Sequence, residues 1–389
     1  MRLSKTLSHL ARVRRAADKL AAAPRASGSG RLTALSGLVN NPGNLNALAY
    51  VPEGLAAGAP LVVVLHGCTQ NASGYDHGSG WSHLAERHGF ALLFPEQQRA
   101  NNSNLCFNWY EPGDNAAGRG EAASIRHMID RMAQAYQIDR ERVFVTGLSA
   151  GGAMASVMLA AYPDMFAGGA IVAGLPFGCA SNLSEAFGCM AGRGHGGRAA
   201  LAAKVRAASS HGGPWPRVSV WHGAADGIVV PGNGDAIAAQ WVEMHGLSAQ
   251  PSRVETIDGH SRSVWTNAAG EELVEHYSLA GMAHGTPLKP GKGDGRSGVA
   301  GAHMIDVGLS STDHIAAFFG ILSARPAARA KPVKAVAARP AAKAPAKAAV
   351  RAERRPREVP RPKPAPAAPP VSGVQKVIED ALRAAGLMR

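Results

Sequence analysis

No run of roughly eighteen apolar residues occurs anywhere in the 389-residue chain, so it offers no helix for crossing a membrane. Cysteine is scarce: four residues, none in a Cys-x-x-Cys pair, which removes the usual zinc and dithiol spacings. The fifteen histidines contain no His-Glu-x-x-His, and no glycine-rich phosphate loop follows a strand-like run. A catalytic metal and a bound nucleotide are therefore not expected. Internal repeats are absent. The first fifteen residues are broken by Lys5, Arg12, Arg14 and Arg15, so they lack the unbroken apolar segment of a secretory signal, and a cytoplasmic location is expected.

Charge is plentiful but unevenly placed. The net +13 comes from the ends: residues 1–31 carry eight basic side chains against one acidic, and residues 325–371 carry thirteen against two. Residues 32–324 hold 17 basic and 23 acidic side chains and are mildly acidic. Leu3, Leu7, Leu10, Val13, Ala17 and Leu20 recur at helical spacing among arginines, which predicts a basic amphipathic arm over 1–31. A Ser/Gly joint at 26–30 follows. Residues 325–371 are almost all Ala, Pro, Lys, Arg and Val, a composition that predicts an extended, disordered tail. Residues 372–389 place Val374, Val377, Ile378, Ala381 and Leu382 on one face of a short terminal helix.

Between the ends the pattern is α/β. The continuous apolar run at 61–65 reads as a strand buried on both faces, and 90–94, 143–145, 170–172 and 218–221 read as further strands. A further strand is expected at 45–51 and helices at 79–88, 121–136 and 311–322. Strands alternating with helices predict a doubly wound, mostly parallel sheet with helices on both faces, in one domain over 32–324. The Gly- and Ser-rich stretch 174–216 has no clear period and reads as a cap or loop insertion.

The strand at 143–145 runs into Gly147-Leu148-Ser149-Ala150-Gly151 and then a helical run, the form of a nucleophile elbow. A serine hydroxyl is a weak nucleophile and needs a base oriented by a carboxylate. Asp226 follows the 218–221 strand, and His284 sits between glycines after an expected strand at 275–278. Chain order Ser, Asp, His fits an α/β-hydrolase, with Asp235 and Asp258 as fallback acids. The backbone N–H of Ala150 and of Cys68, with Thr69 as alternative, would receive the oxyanion. Trp109 and Tyr110 either line a substrate pocket or belong to the core. Cys68 with Cys106, and Cys179 with Cys189, are candidate disulfides, the first tying the oxyanion loop to the segment at 106–110.

Leu65-His66-Gly67-Cys68-Thr69-Gln70, Phe94-Pro95-Glu96-Gln97, Cys106-Phe107-Asn108-Trp109, the serine segment, His222-Gly223-Ala224-Ala225-Asp226 and Gly281-Met282-Ala283-His284-Gly285 together resemble the polyhydroxybutyrate (PHB) depolymerase family of esterases. The resemblance covers about 40–322. It implies an α/β-hydrolase fold and ester hydrolysis through an acyl-serine without cofactor, on hydroxyalkanoate polymers or oligomers. Acetylxylan and feruloyl esterases belong to the same family. The expected partners are an ester substrate and, through the basic ends, a polyanion, DNA or a storage-granule surface. The competing class is a non-catalytic, granule- or DNA-associated organiser using the basic tail.

Overall fold

A computed structural model describes residues 30–322 apart from Lys292. The expected tail and terminal helix, and nearly all of the N-terminal arm, lie outside the described residues.

The apolar runs form a ten-stranded sheet. In chain order its strands are β1 (Thr33–Ala34), β2 (Asn46–Tyr50), β3 (Leu61–Leu65), β4 (Ala91–Glu96), β5 (Val143–Leu148), β6 (Gly168–Val172), β7 (Arg217–Gly223), β8 (Arg253–Ile257), β9 (His260–Thr266) and β10 (Glu272–Leu279). Their spatial order is β1-β2-β4-β3-β5-β6-β7-β10-β9-β8. The centre, from β4 through β3, β5, β6 and β7 to β10, is parallel. Antiparallel strands extend it at both edges. A separate parallel pair joins β11 (Thr286–Leu288) to β12 (Met304–Asp306).

Strand alternation divides the core into two layers. Leu61, Val63 and Leu65 of β3 face one, which is closed by α3 (Gly120–Tyr136), α4 (Ala150–Ala161), α6 (Arg198–Ala208) and α7 (Gly232–Met244). Val62 and Val64 face the other, closed by α1 (Ala72–Ser79), α2 (Trp81–His88) and α8 (Ser311–Phe318). Chain order places α5 (Leu183–Met190) between β6 and α6. The α/β-hydrolase architecture is thus a mostly parallel sheet with helices on both faces.

Three local expectations need correction. The single helix at 79–88 is two helices, broken at Gly80, whose φ is +78° and whose added Cβ would lie 2.5 Å from the Gly298 nitrogen. The stretch 174–216 is not only an insertion: it holds α5 and the β6–β7 crossover helix α6, which buries Leu201, Ala202 and Val205 against its neighbours. Asp258 is a turn residue, paired with Gly259 at the tip of the β8–β9 hairpin, both at positive φ.

Register sets the site. Trp221 of β7 lies opposite Tyr277 of β10, their rings stacked with centroids 3.6 Å apart. Such aromatic pairs contribute about 0.5–1.5 kcal/mol beyond their buried area. A one-residue slip would send every side chain of the strand to the wrong face. The pairing holds the ends of β7 and β10, and the loops that follow them, side by side.

Candidate active site

Ser149 lies between β5 and α4, following the one and immediately preceding the other, with φ 57° and ψ −118°, a backbone conformation that costs a non-glycine residue about 1–3 kcal/mol. Glycines make the turn possible by close approach. A Cβ on Gly147 would fall 2.4 Å from the Gly151 oxygen, and one on Gly151 would fall 2.3 Å from the Leu65 oxygen. The serine side chain makes no capping hydrogen bond, so its hydroxyl is not engaged by the helix it precedes.

The loop after β3 lies alongside. Gly67 N–H donates to Gln70 Oε1 at 2.8 Å and Thr69 N–H to the Asn104 carbonyl at 2.7 Å. Among the described residues no acceptor takes the N–H of Cys68 or of Ala150. Of the two loop candidates, Thr69 is already committed and Cys68 is free. Cys68 is bonded to Cys106, and Cys179 to Cys189.

Buried polar residues to which the sequence alone assigns no role support this loop. His66 Nε2 accepts from the Gln97 N–H at 3.1 Å, so its proton is on Nδ1, which donates to the Gly67 carbonyl at 2.8 Å. Burial lowers the His66 pKa and keeps the ring neutral. The Gln97 amide donates to the Cys106 carbonyl and to Glu121, whose other oxygen accepts from the Asn108 N–H at 2.8 Å. Burial pushes the Glu121 carboxyl up to about 8, against the opposing pull of those hydrogen bonds. The signals in the sequence are His66 and Gln97 within the segments that carry the family resemblance and, for Glu121, a carboxylate on the first turn of a helix whose face is mostly apolar.

Asp226 and His284 occupy the loops after β7 and β10. Asp226 Oδ1 accepts from the N–H groups of Ile228 (2.8 Å) and Val229 (2.9 Å), and Oδ2 accepts from His284 Nδ1 at 2.7 Å. That bond assigns the His284 proton to Nδ1 and leaves Nε2 as the basic atom. Burial alone would raise the Asp226 pKa; the His284 and His222 rings and the Ile228 N–H outweigh it and hold it low. The loops touch at Gly223, where a Cβ would lie 2.3 Å from the Met282 oxygen. Behind them, His303 Nδ1 donates to the His284 carbonyl at 2.9 Å. Neither fallback acid pairs with His284: Asp235 is largely exposed, with its Oδ1 3.7 Å from His276, and Asp258 pairs with Lys289 at the surface.

Main-chain hydrogen bonds run along this edge of the sheet. Ser149 N–H donates to the Val172 carbonyl, Ala173 N–H to Trp221 and Ala224 N–H to Leu279, each within 2.9 Å. These steps link the carboxyl ends of β5, β6, β7 and β10 in series. The three residues expected to act together therefore follow the same edge of one parallel sheet.

Trp109 is packed into the core, while Tyr110, in edge contact with it at 5.3 Å, is only half-buried. Cys179, Cys189 and His195 bring three potential metal-binding atoms within 4.8 Å of one another, but the two sulfurs are bonded together and offer no thiolate.

Residues 45–257 match the family model described as esterase PHB depolymerase. The chain is 47% identical over 292 residues to poly(3-hydroxyalkanoate) depolymerase C of Paucimonas lemoignei, covering 75% of this chain and 70% of that protein. It is 32% identical over 278 residues to a probable acetylxylan esterase A of Aspergillus clavatus, covering 68% of this chain and 86% of that protein. Among solved structures, an acetyl xylan esterase from Aspergillus awamori superposes with a TM-score of 0.64 at 24% identity, covering 75% of this chain and all of that one. That likeness concerns the fold.

Proposed function

The chain belongs to the esterase PHB depolymerase family and is a serine carboxylic-ester hydrolase; on that premise we propose that it cleaves the ester bonds of poly(3-hydroxyalkanoates) and their oligomers. The observation that carries the substrate class is the 47% identity to a poly(3-hydroxyalkanoate) depolymerase, against 32% to an acetylxylan esterase over a similar share of the chain.

In this reading His284 Nε2 takes the hydroxyl proton of Ser149 as its oxygen attacks the ester carbonyl. Asp226 keeps the imidazole proton on Nδ1 and stabilises the imidazolium that forms. The unpaired N–H groups of Ala150 and Cys68 receive the oxyanion of the tetrahedral intermediate. The imidazolium returns its proton to the departing alkoxide, leaving an acyl-serine. Water, deprotonated by the same ring, then releases the hydroxyacid and restores the serine. Tyr110, half-buried beside Trp109, is proposed as the aromatic that meets the acyl group.

Turnover of poly(3-hydroxybutyrate), its soluble oligomers, acetylxylan and methyl ferulate tests the substrate. Turnover of the hydroxybutyrate substrates well above the other two supports the proposal; a preference for acetylxylan or methyl ferulate overturns it. Ser149→Ala tests the nucleophile, with an expected loss of about ten-thousand-fold or more on p-nitrophenyl butyrate in a protein that still folds.

Two disulfides and, among the described residues, no free cysteine fit an oxidising compartment, against the cytoplasmic expectation. Four titratable thiols in protein unfolded without reductant would restore the cytoplasmic reading. The basic ends are proposed as a tether to an anionic surface. Deleting 325–389 should weaken salt-sensitive retention on a polyanion and leave soluble-ester turnover unchanged.

A further inference from the structure

His222 is the penultimate residue of β7, and its side chain is 1% exposed. Its Nε2 lies 2.9 Å from the Val229 carbonyl oxygen. A carbonyl can only accept, so Nε2 carries the proton. The same nitrogen lies 3.5 Å from Asp226 Oδ2, the oxygen that accepts from His284. One carboxylate oxygen is therefore faced by two imidazole N–H groups, one in a short hydrogen bond and one in a longer electrostatic contact. The far nitrogen of the ring, Nδ1, is buried and has no hydrogen-bond partner among the described residues.

The ring cannot turn away. A Cβ on Gly234, in the first turn of α7, would lie 2.9 Å from both the His222 Cβ and the His276 Nε2, so the helix backbone packs directly on the two rings. The titratable groups facing His222 are Asp226 on its own loop, His284 from the loop after β10, His276 from β10 and Asp235 from α7. Burial keeps His276 neutral, at about 4, and lowers His222 as well, while Val229 and Asp226 pull the latter back toward its ordinary value.

We infer that His222 is a positioning residue for the reaction: its Nε2-protonated ring clamps the loop from Asp226 to Val229 and aims an N–H dipole at the carboxylate oxygen used by His284. The clamp explains why Asp226 keeps both oxygens oriented. Oδ1 is held by two N–H groups of a loop whose own carbonyl His222 holds. The dipole has a second effect. Its positive end faces Oδ2, so it weakens the field that favours a protonated base, and its loss should move the acid limb of the kcat/KM profile to higher pH.

The inference rests on Asp226 and His284 being the acid and base of the proposed triad. The test compares His222→Gln, whose amide nitrogen reaches the place of Nε2, with His222→Asn, whose amide stops near Nδ1. Both are made in the full chain and assayed on p-nitrophenyl butyrate across pH, with thermal unfolding measured alongside. His222→Asn should lower kcat about tenfold and shift the acid limb upward by about half a pH unit; His222→Gln should recover most of both. Equal profiles for the two variants, with the limb where the unaltered protein has it, overturn the inference. Nitrogen-15 spectra of the unaltered protein give a readout that needs no variant: a His222 ring protonated at Nδ1, or doubly protonated, at pH 7 also overturns it. A Ser149→Ala protein that keeps its turnover sinks the triad and this inference with it. An inactive Ser149→Ala protein beside indifferent His222 variants sinks this inference alone.

Discussion

Around Ser149 three stretches of main chain press on one another: the end of β5, the first turn of α4 and the end of β3, separated by less than the width of a methyl group at Gly147 and Gly151. Around Asp226 and His284 the main chains meet at Gly223 and are joined by hydrogen bonds from the Ala224 and Ala225 N–H groups to the Leu279 and Met282 carbonyls, and side-chain hydrogen bonds complete the ordering: His222 on Val229, Asp226 on His284, His303 behind. The serine half is built by exclusion of volume, the acid–base half by hydrogen bonding. Crowding tolerates no side chain at the contact points but asks little of the residues around them. A hydrogen-bonded half tolerates size changes and fails when one donor becomes an acceptor.

The sharpest way to break that comparison is Asp226→Asn. Its amide would still accept from Ile228 and Val229, but it would present a donor to His284 and move the ring proton to Nε2. The expected result is a fall of about ten-thousand-fold in kcat with the melting temperature nearly unchanged. Gly151→Ala probes the other half. Its methyl would sit 2.3 Å from the Leu65 oxygen, and calorimetry should show a loss of about 3 kcal/mol or more. Gly281→Ala is its foil in the acid–base half, with φ +68° and open space around it, and should cost only about 1–2 kcal/mol. A larger loss at Gly281 than at Gly151 would undo the distinction.

Glu121 offers a test through pH. The folded protein keeps its proton up to about pH 8, while the unfolded chain releases it near 4.5. The folded state thus holds more protons between those values, so its stability falls as pH rises through them and levels off above. Glu121→Gln should remove that portion of the decline, which unfolding by denaturant at pH 5 and pH 8.5 would show.

The same contrast decides what was legible in the sequence. Crowding leaves a local mark: Gly147, Ser149 and Gly151 sit together, and the apolar runs of β3 and β5 flank them. The central parallel strands followed from such runs. Hydrogen-bonded support leaves a weaker mark: His66, Gln97 and His222 fall inside the segments that carry the family resemblance, but nothing local shows that His66, Gln97 and Glu121 meet after folding or what His222 holds. The split between α1 and α2 was hidden because Gly80 is needed for an approach by Gly298, more than 200 residues away in the chain. The β8–β9 hairpin did carry a signal, Asp258-Gly259 between alternating polar and apolar residues, which was weighed as an acid in a loop instead. Helix α6 was missed because its alanine-rich run sets only Leu201 and Val205 apart from their neighbours.

The series of main-chain bonds from Ser149 through Val172, Ala173 and Trp221 to Ala224 and Leu279 has a thermal consequence. Each residue of the proposed triad hangs from a different strand, yet no hinge separates any of them from the next. Warming cannot disarrange the chemistry in advance of the sheet itself. Activity per folded molecule should follow an uninterrupted Arrhenius line up to the cooperative transition and vanish there, with no inactive but still folded form in between.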